Sequence, residues 1–312
     1  MLSNFIQYFQ KFTPFLLAGL MVACNEDYSS LSNETNGNAG AQSRKSSSSA
    51  SSMKWSSNSL GSSGLKVYVS QDLIDEFQPV DYKDDLNPVQ QMLSEWNNSL
   101  DEYTLFDIDS ASDENALGSL QHVDLINYND NILGIYKHED WFEDVSNSAL
   151  AITQFFGKRI NIGTEYEYLE LIHADIIINY KEFSFGISDK SIEQYDLSSV
   201  ILHELGHFLG LGHSGYSDIS VMVPYLDIEV EKRELFEYDL DVISDLYQRE
   251  NQQALSSFSI SSVTHKDSAN KSSEIVQGII ELQSNGNCRH IIDGKLVHEH
   301  KKKPGHFRPG LH

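Results

Sequence analysis

The chain has 312 residues, enough for one well-packed domain plus a good deal of further sequence, and its 40% apolar and 11% aromatic content suits a globular protein. A formal charge of −24 disfavours polyanionic partners, so nucleic acid is not expected as one. Only two cysteines occur, Cys24 and Cys288, in segments of unlike composition, so no structural disulfide is expected.

An apolar run from Phe12 through Leu20, Met21 and Val22, preceded by Lys11, has the shape of a signal peptide. It is shorter than the ~20 residues a membrane-spanning helix needs. The string Met21-Val22-Ala23-Cys24 resembles a bacterial lipobox, which implies lipid attachment at Cys24 and tethering of an exported protein to a membrane; ordinary signal cleavage with secretion, or a buried apolar N-terminus, are the alternatives. Residues 25–64 are rich in Ser, Asn and Gly, include Ser46-Ser47-Ser48-Ser49, and read as a flexible tether.

Order is expected from Leu65, where Lys66-Val67-Tyr68-Val69-Ser70 alternates like a strand. The spacing of Val89, Met92, Leu93, Trp96 and Leu100 predicts a helix over Pro88–Leu100. Val123–Tyr128, Ala149–Phe156 and Ala174–Tyr180 are strand candidates. Asp196 is suited to cap a helix that starts at Leu197, and a last helix is expected over Arg233–Arg249. Beyond Asn251 the composition turns polar, with a possible hairpin in Glu274–His300 around Ser284-Asn285-Gly286-Asn287.

Residues 203–213 read HELGHFLGLGH. On a helix, His203 and His207 are four residues apart and share a face, so both imidazoles reach one ion. Gly210 lets the chain leave the helix sharply, bringing His213 back as a third ligand. Three nitrogens leave one tetrahedral position of a zinc ion open for water, and Glu204, turned away from the ligand pair, is placed as general base for that water. Surface histidines on an ordinary helix, or a metal site without catalysis, are the competing readings; the fixed offsets and the intact Glu204 argue against them.

The five positions His203, Glu204, His207, Gly210 and His213 resemble the metzincin pattern HExxHxxGxxH, and Met222, nine residues after His213, matches the methionine turn of that family. The resemblance implies an α+β (α/β metzincin-like) fold. Its sheet would be mixed, mostly parallel, five-stranded and twisted, with an active-site helix, a second packing helix and a C-terminal helix. Ser214 and Pro224 look like the matrixin branch; astacin-like and serralysin-like enzymes carry a tyrosine at the position of Pro224. Tyr195–Val200 and the helix bearing Asp239, Leu240, Ile243 and Tyr247 extend the similarity over Leu65–Gln248.

The resemblance implies a zinc metalloendopeptidase with one catalytic Zn2+ on His203, His207 and His213, Met222 as an apolar floor, and Pro224 and Tyr225 as substrate-pocket walls. Ala149–Phe156 would be the edge strand that pairs with the substrate backbone, with Ala174–Tyr180 the next strand inward. No cysteine-switch string is present, and no GDAHFD-like stretch supports structural Ca2+, although Asp175 occupies a suggestive place. His138 and His173 could bind a second metal, but isolated histidines are more often surface or core residues, and that is the reading preferred for them.

The domain reading is therefore a signal peptide at 1–24, a linker at 25–64, a catalytic domain at 65–250 and a His/Lys-rich extension at 251–312 of uncertain structure. In that extension His290, His298, His300, His306 and His312 accompany Lys301-Lys302-Lys303 and Arg308, as a solvated tail or as a segment that gathers zinc, meets anionic lipid or folds back on the acidic domain. Expected partners are a protein or peptide substrate and, through the lipid, a membrane, with the chain acting as a monomer. The competing function is a lipid-anchored binding protein on an inactive metzincin scaffold.

Overall fold

A computed structural model describes residues 52–164, 166–187, 193–215, 219–228, 230–248 and 275–300. Cys24 and its lipobox, His306 and His312 lie outside the described residues, as does most of the linker. No helix among the described residues is long and apolar enough to cross a membrane.

The first described residues overturn the linker boundary. Ser52–Trp55 form a strand, β1, and Ser57–Leu60 a short helix, α1, capped by Ser56, whose side chain accepts from the Ser59 amide. The serine-rich surroundings mask three side chains that are buried here: Met53, Lys54 and Trp55. Strand β2 follows at Leu65–Val69, then a short helix α2 at Gln71–Ile74 and helix α3 at Pro88–Asn97. The start of α3 is written locally. Asn87 and Gln90 exchange side-chain and backbone hydrogen bonds in a capping box, and Pro88 takes the first helical position, where a missing N–H costs nothing.

Two more parallel strands follow, β3 at Phe106–Asp107 and β4 at Leu133–His138. The strand expected at Val123–Tyr128 is instead a 3-10 turn over Leu125–Tyr128. Val123 and Ile126 are exposed and only Tyr128 is buried, so no sheet face is available to reward the alternation. The two long strands, β5 at Ala149–Ile160 and β6 at Tyr168–Asn179, form an antiparallel pair. Short strands β7 (Phe185–Gly186) and β8 (Tyr195–Asp196) pair in parallel and lead into helix α4, Leu197–Phe208. Helix α5 spans Glu237–Tyr247.

The extension of uncertain structure supplies three strands, β9 at Ile275–Gln283, β10 at Cys288–Ile292 and β11 at Lys295–His300. The sheet order is β11-β10-β9-β5-β6-β4-β2-β3, with β1 alongside β6, so among the described residues the main sheet has nine strands where five were expected. Nor is it mostly parallel: β1, β2, β3, β4 and β6 pair in parallel, whereas β5, β9, β10 and β11 join antiparallel. Both differences arise from the two end segments: β1 lies in the presumed linker, and the hairpin expected within Glu274–His300 does form, as β9 and β10, but joins the main sheet along β5.

Helices α3, α4 and α5 carry apolar side chains into one large cluster with the sheet face formed by Val67, Ile135, Ala151, Phe155, Ile176 and Ile178. All twelve residues of α4 are buried. A smaller cluster around Tyr128, Tyr136, Trp141 and Phe142 covers the opposite face at Ala149, Ile152 and Ile177. With both faces covered, residues 149–157 of β5 are all buried, which is why the segment reads as a nearly continuous apolar run. Trp96 of α3 is fully buried and its indole N–H donates to Leu202 O of α4 at 3.0 Å, which sets the helix carrying the histidines against its neighbour.

Candidate metal centre

Helix α4 begins as the sequence predicts. Asp196 accepts from the Ser199 amide at 2.8 Å, and Arg233 grips the same carboxylate, its Nε lying 3.0 Å from Oδ1. Two turns on, the helix presents His203 and His207 on one face, with ring centroids 4.6 Å apart. The chain then breaks at Gly210, whose φ is +101°. A Cβ there would lie 1.9 Å from Met53 O, so glycine is required twice, by the left-handed backbone and by the close passage of β1. The second reason was invisible in the motif, because β1 lay in the presumed linker.

Orphan carbonyls at the end of α4 are met from far along the chain. Trp55 Nε1 donates to Phe208 O at 2.7 Å and the Tyr247 hydroxyl to Leu209 O at 2.7 Å. Strand β1 and helix α5 thus hold the turn that brings His213 back, with its ring centroid 4.5 Å from that of His207 and 5.3 Å from that of His203.

The ligand atoms of the three histidines lie within 4.8 Å of one another, and among the described residues this is the one such cluster of His, Cys, Asp or Glu. Their orientations suit a cation. His203 Nδ1–H donates to Val221 O at 2.7 Å and His207 Nδ1–H to Leu211 O at 2.8 Å, which leaves the Nε2 lone pair of each ring directed inward. His203 Nε2 is buried without a hydrogen-bond partner, and His207 Nε2 and His213 Nε2 approach to 3.0 Å. Burial pushes the pKa of His203 down to about 4 and those of His207 and His213 well below the ordinary value, so all three are neutral ligands at neutral pH. The donor set fits zinc, with three nitrogens as in a catalytic site.

Glu204 is fully buried beside the cluster. Thr153 Oγ1 of β5 donates to its Oε2 at 2.5 Å, while Oε1 has no hydrogen-bond partner. Burial pushes the Glu204 pKa up to about 8, with the Thr153 hydrogen bond pulling the other way. Thr153 was not foreseen, because nothing local marks a strand residue that meets a helix fifty-one positions later.

Met222 lies under the helix: a Cβ on Gly206 would fall 2.3 Å from its sulfur. The turn around it is tightly tied. Ser214 N donates to Met222 O at 2.6 Å, and Asp239 of α5 accepts from Ser220 Oγ at 2.6 Å, Val221 N at 2.9 Å and Phe236 N at 3.1 Å. Asp239 is a second residue the motif alone does not reveal. Downstream, Pro224 O accepts from Gln283 N at 3.1 Å, and Leu226 N donates to Gln283 O at 3.3 Å.

Three expectations change. Strand β5 is next to β6 as expected, but its other side is not an open edge, since β9 pairs along it from Ala149↔Gln283 to Lys158↔Ile275. The candidate second-metal ligands are engaged locally. His138 Nε2 bonds with His122 O at 2.9 Å, and His173 Nε2 lies 2.7 Å from Asp175 Oδ2 and 3.0 Å from Tyr128 O. Asp175 also accepts from Gly134 N at 3.0 Å, so it ties β4 to β6. Finally, His290 is not in a solvated tail; it is buried, with Nε2 3.1 Å from His213 Nδ1.

Two histidines on one helix and a third beyond a glycine turn, with a glutamate beside the first and a methionine beneath, make a candidate catalytic zinc site. Residues 136–248, a little over a third of the chain, match the family model described as Matrixin, peptidase family M10. Among curated proteins, Metalloendoproteinase 1 of Glycine max is 46% identical over 54 residues, 17% of this chain and 17% of that protein. Metalloendoproteinase 5-MMP of Arabidopsis thaliana is 46% identical over 52 residues, 17% of this chain and 14% of that protein. The aligned stretches therefore span less than a fifth of the length of these relatives. His203, His207 and His213 form the triad that holds catalytic zinc in matrixins.

Proposed function

We propose that the protein is a zinc-dependent endopeptidase that hydrolyses internal peptide bonds of extracytoplasmic proteins. The observation that carries this reading is the convergence of His203, His207 and His213 Nε2 atoms beside a buried Glu204 whose second oxygen is held by Thr153. The matrixin match over residues 136–248 supports it.

Zinc bound there would supply Lewis acidity, polarising a peptide carbonyl and bringing the pKa of a water near 7. The chain's own residues do the rest. In its ionised form Glu204 takes a proton on Oε1 from the attacking water and delivers it to the departing amine nitrogen. Thr153 holds Oε2 so that Oε1 keeps one position through both transfers. Backbone carbonyls of Val221 and Leu211 fix the tautomers of His203 and His207. Met222 forms an apolar floor, and Pro224 and Tyr225 line the wall beside the scissile bond. No covalent intermediate is required. The competing inactive scaffold would have no use for a glutamate positioned in this way.

Signal cleavage and lipid attachment at Cys24 belong to the same reading and rest on the sequence alone. Metal analysis tests the centre directly. The protein should retain one zinc per chain after dialysis and lose it on His207→Ala substitution, and any hydrolysis of a broad peptide library should depend on zinc.

A further inference from the structure

An endopeptidase must admit an extended backbone to its cleft, usually by strand addition to an exposed sheet edge. Here that edge is taken by the chain itself. Strand β9 lies antiparallel along β5, and at Gln283 its other side hydrogen-bonds Pro224 O and Leu226 N, pairing in parallel with Tyr225. The register places Ile280 opposite Thr153, the residue that holds Glu204. Strand β10 then carries His290 onto the third ligand candidate, 3.1 Å from His213 Nδ1.

The result is a closed centre. His203, His207, Glu204 and His213 are 2%, 0%, 0% and 4% exposed, too little for a peptide to reach. Ile280 and Leu282 are themselves buried in the main core, and Gly278 is bare because a Cβ there would lie 2.0 Å from the Phe155 ring. Glu281 is buried as well, accepting from Ser146 N at 3.2 Å and lying 3.5 Å from Arg289. These are the features of a fitted occupant.

We propose that residues 275–300 are a built-in pseudosubstrate that occupies the peptide cleft and keeps the centre latent until displaced, or freed by a cut in the connecting residues 249–274. The proposal rests on the endopeptidase reading above. Held between β5 on one side and β10 and Pro224–Leu226 on the other, β9 has no freedom to turn a carbonyl toward Glu204. Tethering favours it strongly. At an effective concentration of ~1 mM, even a tethered segment that binds with a Kd of ~10 μM fills the cleft about 99% of the time.

The test uses the full chain with a recognition sequence for a specific protease inserted between Asn270 and Lys271, and, separately, the uncut full chain carrying Ile280→Asp, which places a charge opposite Thr153. Hydrolysis of an internally quenched peptide library is followed together with hydrogen exchange of the β5 amides. Cutting followed by dilution, and Ile280→Asp, should each raise kcat/KM on the order of 100-fold. Synthetic 275–300 peptide should then inhibit the cut form by raising KM without lowering kcat.

Equal rates for uncut, cut and Ile280→Asp chains, with no inhibition by the peptide, would overturn latency while leaving the endopeptidase standing. A fall in rate on cutting, with zinc retained, would overturn it too, since the hairpin would then complete the site. If no form cleaves anything, exchange decides. Amides of residues 150–157 that open on cutting and regain protection with the peptide uphold the occupant and sink the endopeptidase; unchanged amides sink the occupant.

Discussion

His290 Nε2 stands 3.1 Å from His213 Nδ1, so a side chain from the C-terminal hairpin braces the third ligand of the metal centre. With Nε2 of His213 facing His207, the outer nitrogen is the one that fixes the ring's tautomer and tilt. Partners of this kind support a metal site nearly as much as the ligands do. In His290→Ala, zinc affinity should fall about 10- to 100-fold, measured by competition with a chromogenic chelator. An unchanged affinity would mean that His213 needs no brace.

Thr153 does the same for Glu204, the proposed base. A hydroxyl that donates to a carboxylate favours its charged form, so Thr153→Val, nearly the same shape, should raise the pKa of Glu204. The acid limb of the kcat/KM profile should move to higher pH and kcat should fall on the order of 10-fold, with zinc content unchanged. The comparison is made in the Ile280→Asp background, where the cleft is open. A profile that does not move would remove Thr153 from the mechanism.

Gly210 answers to packing as well as to backbone angle. In Gly210→Ala the new methyl meets Met53 O of β1 and the φ of +101° penalises any side chain, so the substitution should cost more than about 2 kcal/mol in urea unfolding. Trp96→Ala, which removes a fully buried indole and its bond to Leu202, should cost about 3–5 kcal/mol.

The buried pair His173 and Asp175 predicts a pH dependence of stability. Burial pushes Asp175 up to about 6 against the pull of His173. For His173 burial lowers the pKa, but the hydrogen bond and charge of Asp175 outweigh it and the net direction is up. Both groups bind protons more readily folded than unfolded, so their stabilisation is full below the unfolded carboxyl value of about 3.9 and is lost as pH rises through the folded values. The Tm advantage of the wild type over Asp175→Asn should therefore shrink as pH climbs from about 4 to 7. A gap that widens over that range would contradict the assignment.

What could be read in advance depended on how local its physics is. HELGHFLGLGH was legible because helical spacing alone places His203 and His207 together, α3 because Val89, Met92, Leu93 and Trp96 share one face, and the start of α4 because Asp196 acts within one turn. The centre's supports were not, since Thr153, Asp239 and His290 reach it through pairings between distant segments. Strand β1 hid in a serine-rich stretch, although Met53 and Trp55 are buried; the β9–β10 hairpin was legible around Ser284–Asn287, but not its pairing with β5. Val123–Tyr128 had a strand's composition but no sheet beside it, and it folded as a turn.

The central claim is that Glu204 serves as base at a zinc ion held by His203, His207 and His213. Zinc content and peptide hydrolysis measured together, for Glu204→Gln against its parent in the open Ile280→Asp chain, test it most directly. The variant should keep one zinc per chain and lose about 10²- to 10⁴-fold in kcat. Hydrolysis at the parental rate with zinc still bound would contradict the account.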